Sequence, residues 1–254
     1  MVRDDKKDII LINWQGHLAH AVDMYPTSIS SDMAHYIREG VESGDDDALV
    51  AYFAGASGNL NLNAPNVSLV EYSNESNPKV KNNYYVNVAK ALADVILDTI
   101  EDDNLTRIEG GRIVFEKKTY AAAHKKDSAA DVAAAQARLD AGGNDAGDRY
   151  MVVRNKSDST TLRISAVAFG DFAFITVPYE MFDNNGLQVK EASPFKMTFV
   201  LTNSDGDYAY MPSVEAWEEY GGYETKATYF DSGVAERLVR QYCGLLDNLY
   251  DKYK

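Results

Sequence analysis

Several polar residues of this chain stand just past the ends of apolar runs. His17 follows the run at 9–14, and Ser57, Asn59 and Asn61 follow the run at 49–53. Glu180 follows 172–177 through Pro178 and Tyr179, and Tyr208 and Tyr210 come after 196–201. Active sites of α/β sheets gather beyond the carboxyl ends of strands, so these are the positions where chemistry would be placed. Imidazole nitrogen, carboxylate oxygen and phenol oxygen suit zinc, which takes about four ligands, or three and a water. The spacing carries no metal signature of its own: there is neither His-x-x-x-His nor His-Glu-x-x-His. A lone histidine at a strand end is more commonly a structural hydrogen-bonder, and on the residues alone both uses of His17 stand.

The loop Gly55-Ala56-Ser57-Gly58-Asn59 invites a comparison with the G-x-S-x-G elbow of esterases. Asn59 stands where the last glycine is required, so the pattern fails at Ser57. Backbone amides in such a loop can form an anion nest, although a tight turn is the commoner reason for its small residues.

The elements that must position these residues follow from periodicity. Residues 9–14 and 49–53 are apolar runs too short for helices and are expected as buried strands. Between them, Ser30-Ser31-Asp32 offers N-caps to a helix carrying Met33, Tyr36, Ile37 and Val41, ending near Gly44. A longer helix is expected over 82–101, with Val88, Leu92, Val95, Ile96 and Thr99 on one stripe. Two short β segments should flank Gly110-Gly111 between 107 and 120. Residues 128–140 are helical by propensity and stop at Gly142-Gly143. Strands 162–167 and 172–177 flank a Gly170-Asp171 hairpin turn. A helix near 180–191, a strand at 196–201, a short helix at 213–219 and a closing helix from about 232 complete the pattern. The expected class is α/β, with layered mixed β-sheets flanked by helices, as one domain over 1–254. The Ala-rich stretch 121–148 has little large apolar area and is expected as a surface arm.

Composition narrows the partners. A chain of 254 residues that is 45% apolar can bury roughly 70–75% of its unfolded surface. The net charge of −14, with acidic runs at 45–47 and 101–103, argues against a nucleic-acid partner. Neither run has the alternating oxygen ligands of a calcium loop. No apolar run approaches the ~18 residues of a transmembrane segment. No signal-peptide pattern precedes the first strand, and the compartment stays open. The single Cys243 excludes an internal disulfide framework and a Cys-rich metal site.

Read together, several stretches resemble the N-terminal catalytic domain of the neutral/alkaline non-lysosomal ceramidases. They are "INWQGH", "ISSDMAHYIREGVE", "YFAGASGNLNLN", "AFGDFAFITVPYEMF", "SPFKMTFVLTNSDGDYAYMPS" and "YGGYETKAT", in the family's order and over most of the chain except 121–148. In that family two histidines, a glutamate and a tyrosine hold zinc, and the enzyme hydrolyses the amide of ceramide. The resemblance places His17 on the second zinc histidine, Glu180 on the glutamate and Tyr210 on the tyrosine. It places Tyr223 on a tyrosine at the reacting centre. His20, His35 and His124 match no ligand position and are expected to be structural or surface residues.

Two departures qualify what the resemblance implies. The family's first zinc histidine lies in a His-x-His segment upstream of the position matching Met1, so the stretch is expected to be the later part of that domain. The family's catalytic serine falls on Asn61 and a neighbouring aspartate on Asn59, and an amide cannot be acylated as a serine can. The resemblance therefore implies a zinc-dependent hydrolase of an amide or ester, acting on a small-molecule or lipid substrate. Its metal ligands would be His17, Glu180 and Tyr210, with weakened zinc affinity and partial or no occupancy. Asn61 and Tyr223 would face the reacting group, with Ser57 and Asn59 near the substrate. The alternatives are a catalytically degenerate binding protein, or one piece of a longer hydrolase whose exposed sheet edge self-associates.

Overall fold

The computed structural model describes residues 2, 6–18, 27, 29–61, 78–101, 105–106, 108 and 111–254. The chain forms two compact units, 1–54 with 61–107, and 55–60 with 108–254. His20, Gly110 and the acidic pair 102–103 lie outside the described residues.

In the first unit, β1 (Asp8–Trp14) and β2 (Ala48–Ala54) pair in parallel, from Asp8 opposite Ala48 to Trp14 opposite Ala54. Parallel neighbours need a crossover, supplied here by α1 (Met33–Gly44). The Asp32 carboxylate caps α1 by accepting from the Met33 amide at 2.6 Å. α2 (Pro78–Ile100) packs on α1 so closely that a Cβ on Gly40 would lie 2.7 Å from that of Ala93. Ile12, Met33, Ile37, Tyr85, Val88 and Ala89 form the core. The expected stripe on α2 is too wide: Val95 is 58% exposed, and the inward row runs through Ala89 and Ala93.

The second unit is built on a four-stranded sheet in the order β3-β4-β5-β7. β3 (Ile113–Ala123), β4 (Ser159–Phe169) and β5 (Phe172–Thr176) are antiparallel neighbours, and β7 (Met197–Leu201) joins β5 in parallel. The second of the two segments expected around Gly110-Gly111 is longer than its pattern suggested, one eleven-residue strand to Ala123, and most of the first lies outside the described residues. The Gly170 turn has φ 62°, the conformation glycine takes without a side-chain clash. One face of the sheet, with Leu162, Ile164, Ala166, Ile175 and Val200, packs under α6 (Val234–Tyr253). α6 buries Leu238, Val239, Tyr242, Leu245, Leu246 and Leu249 at the spacing of an amphipathic helix.

Between β3 and β4 run two helices, α3 (Ala129–Asp140) and α4 (Ala146–Arg154). They are joined by a bidentate Arg138–Asp148 ion pair. The pattern of the sequence suggested only the first of them. Glu180–Met181 is a short strand, β6, so the helix expected near 180 begins later, as α5 (Asp183–Ala192). β6 pairs in parallel with β8 (Tyr210–Met211). The short helix expected at 213–219 is a five-residue π-helix over Ala216–Tyr220. Among the described residues no helix is long and apolar enough to cross a membrane.

Candidate functional site

Glu180 and Tyr210 face each other in register across β6 and β8. Several local bonds fix this two-rung pairing. The Glu180 amide donates to the Ala209 carbonyl at 2.8 Å, and the Tyr208 amide donates to the Pro178 carbonyl at 2.9 Å. The Thr202 hydroxyl donates to the Tyr179 carbonyl and accepts from the Met181 amide. Ala209 has φ 59°, a left-handed conformation costing a non-glycine residue roughly 1–2 kcal/mol, immediately before Tyr210. Tyr208 packs on the core and does not join the pair.

The loop of small residues closes on the same segment from the other side. The Gly58 amide donates to the Met181 carbonyl at 2.8 Å, and a Cβ on Gly58 would lie 2.7 Å from the Glu180 carbonyl oxygen. Only glycine permits that approach. Asn59 takes the place of a cap on α5: its Oδ1 accepts from the Asp183 amide at 2.8 Å and its amide donates to the Asp183 carboxylate at 2.7 Å. Asn59 is thereby tied to the helix start, and Ser57 is buried at 5% exposure.

The Tyr210 hydroxyl donates to the Glu180 carboxylate. Burial pushes the Glu180 carboxyl above its usual range, the Tyr210 bond pulls it back in part, and the charges of Asp207 and Glu224 push it further up. Burial and the neighbouring Glu180 carboxylate likewise push the Tyr210 phenol up, so it stays protonated and remains a donor. The Tyr223 ring stands edge-on to that of Tyr210, with centroids 5.8 Å apart, and is 56% exposed. Glu180, Tyr210 and Tyr223 are thus gathered within the second unit. His17, half-buried three residues past β1, and Asn61, exposed, belong to the first unit.

A buried guanidinium supports this cluster from behind. Arg154, 2% exposed, makes a bidentate pair with Asp127 at 2.6 and 2.7 Å and donates to the Thr228 carbonyl at 3.0 Å. The Thr228 hydroxyl in turn donates to the Tyr210 carbonyl at 2.7 Å. His124 is a buried structural residue, with Nδ1 against the Arg154 carbonyl and Nε2 against the Thr160 hydroxyl. His35 sits on the surface beside Glu39.

Asp207, Glu224 and Tyr150 are the site neighbours that sequence reasoning missed. Asp207 and Glu224 flank expected residues, which is a usable signal. Tyr150 lies on α4, which no pattern announced. Among the described residues no three His, Cys, Asp or Glu side chains form a metal-binding group. The donor set at hand is one carboxylate, an oxygen ligand that zinc accepts, and one phenol, which would ligate a metal well only on giving up its proton.

No protein-family profile matches the chain, and no curated protein matches it in sequence. Among solved structures, the neutral ceramidase from Pseudomonas aeruginosa matches with a TM-score of 0.61 at 14% identity, over 95% of this chain and 44% of that one. The fold is ceramidase-like. A ceramidase complexed with C2 matches with a TM-score of 0.62, also at 14% identity, over 96% of this chain and 46% of its own. The chain therefore spans under half the length of the ceramidases it matches.

Proposed function

We propose that this ceramidase-like chain contributes a zinc-dependent hydrolase site that cleaves an amide or ester bond of a lipid-like substrate. The observation that carries the reading is the Glu180–Tyr210 pair, brought into register by two short strands with Tyr223 at its open side. Glu180 and Tyr210 would hold the metal. The sequence resemblance implies His17 as a further zinc ligand. The excess of negative charge from Asp207 and Glu224 around Glu180 supports a cation there, because a cation would relieve the repulsion. Bound zinc would polarise a carbonyl and acidify water, chemistry that does not require an acylated serine.

The protein side chains then have distinct tasks. Glu180 keeps its carboxylate oriented through the Tyr210 hydroxyl. Tyr223, exposed at its edge, can offer a hydroxyl to the substrate's reacting carbonyl. Asn61 can donate and accept hydrogen bonds but forms no acyl-enzyme.

Metal analysis of the purified chain after zinc loading, paired with hydrolysis of an N-acyl sphingoid base and a p-nitrophenyl ester, tests the reading. The expected result is near-stoichiometric zinc that is lost in Glu180→Ala and His17→Ala, with hydrolysis lost alongside it. Metal-free protein whose melting temperature ignores added zinc would overturn it.

A further inference from the structure

The face of the four-stranded sheet turned away from α6 carries two complete cross-strand rows of apolar side chains. The first row is Ile113, Phe169, Phe172 and Met197, and the second is Phe115, Val167, Phe174 and Phe199. Each residue is the register partner of the next, so all eight side chains stand on one face. Ile113 is 71% exposed, Phe115 54% and Met197 50%, while the rings of Phe172 and Phe199 pack edge-on at 4.8 Å. Cross-strand aromatic packing of this kind usually lies inside a sandwich, with a second sheet about 10 Å above it. Here five phenylalanines of one face are at least partly open to solvent.

We propose that this face binds a second copy of the chain, sheet against sheet, about a twofold axis running parallel to the strands. Two observations select this occupant. The first is area: the two rows and the stems beside them offer roughly 600 Å² per copy, at the upper end of what monomers leave bare and at the lower end of the roughly 600–1,000 Å² per partner of a standard interface. The second is charge. The strand order means that the axis lays β3 over β7 and β4 over β5. The cations of this face, Lys117 and Arg163, lie on β3 and β4, just beyond the apolar rows. The Lys117 row continues through Ser165 and Thr176 to Leu201 on β7, so Lys117 meets no other cation, and Arg163, one row further out, is paired with Asp205 at 2.8 Å. Apolar rows therefore meet apolar rows with no like-charge contact, as a self-complementary interface requires. This differs from the edge pairing suggested by the sequence, because the face and not the strand edge is used. It is also independent of the metal site.

Sedimentation equilibrium on the full chain from 1 to 200 μM, with Phe115→Glu, Phe174→Glu and Leu187→Glu, tests the proposal. Leu187 is a control: it is 51% exposed but lies on α5, outside the sheet. The expected result is a monomer–dimer equilibrium whose dissociation constant rises about 30-fold or more in each phenylalanine variant and is unchanged in Leu187→Glu. Circular dichroism and melting curves identify any variant that fails to fold, and the Phe115 and Phe174 variants are read independently. A wild-type chain that stays monomeric at 200 μM overturns the proposal, including one that instead partitions onto phosphatidylcholine vesicles. A dimer that survives both phenylalanine substitutions, or that Leu187→Glu dissociates equally, also overturns it.

Discussion

Glu180 and Tyr210 are register partners on adjacent parallel strands, and the phenol of one donates to the carboxylate of the other. The bond favours the ionised carboxylate against burial and the repulsion of Asp207 and Glu224. In Tyr210→Phe that support is gone, so the Glu180 titration should move to higher pH. Carbon-13 NMR of the Glu180 carboxyl in metal-free buffer measures it. A midpoint that stays put would show that the hydroxyl does not bear on the carboxylate.

The same environment makes the charge of Glu180 a cost to folding. A carboxyl whose folded pKa is raised loses stability as pH climbs from the unfolded value, near 4.3, through the folded one. Glu180→Gln keeps an acceptor for Tyr210 without the charge. In the presence of a chelator it should therefore melt higher than wild type at pH 7, with the difference vanishing below about pH 4. A lower melting temperature at neutral pH would contradict the electrostatics described.

Gly58→Ala should cost about 1–3 kcal/mol in urea unfolding, because the added methyl would meet backbone, which cannot swing away as a side chain would. The displacement would fall on β6. Zinc uptake by Gly58→Ala should drop even under conditions where the variant is fully folded, and unaltered uptake would argue that the loop is only a spacer.

Arg154→Met should be the most damaging of these changes, at about 3–5 kcal/mol at pH 7, since it strands the Asp127 carboxylate in the interior. Burial pushes Asp127 up, but hydrogen bonds from Arg154 and Asn155 outweigh it and hold the carboxyl below its usual range. The stabilisation from the pair is thus complete above the unfolded pKa, near 3.9, and disappears as pH falls through the lower folded value. Urea titrations from pH 7 to pH 2.5 should show the gap between wild type and Arg154→Met closing at the acid end. A constant gap would mean that the guanidinium acts by packing alone.

Much of this architecture was legible because it follows periodicity. β1, β2, α1, the Gly170 hairpin and α6 each carry a strong apolar repeat with a cap or turn residue at its end. The site was legible only in part. Residue type and strand-end position suggested Glu180 and Tyr210, but their partnership depends on two-residue strands too short to leave a pattern. Asn59 stood where a substrate contact was expected, and its amide is tied to Asp183, more than a hundred residues away in sequence. Such long-range bonds have no local signature. α4 was hidden for the opposite reason: it is short, and it buries Asp148 and Arg154 through ion pairs where a periodicity reading looks for hydrocarbon.

The six residues 55–60 belong by contacts to the second unit, although the chain reaches them directly from β2 of the first. Any attempt to dissect the protein by cutting near residue 108 would discard them. The excised piece would keep Glu180, Tyr210 and Tyr223 but lack the hexapeptide that braces their segment. Restoring it as a free synthetic peptide, or splicing it ahead of residue 108, would turn that brace into something that can be added or withheld at will.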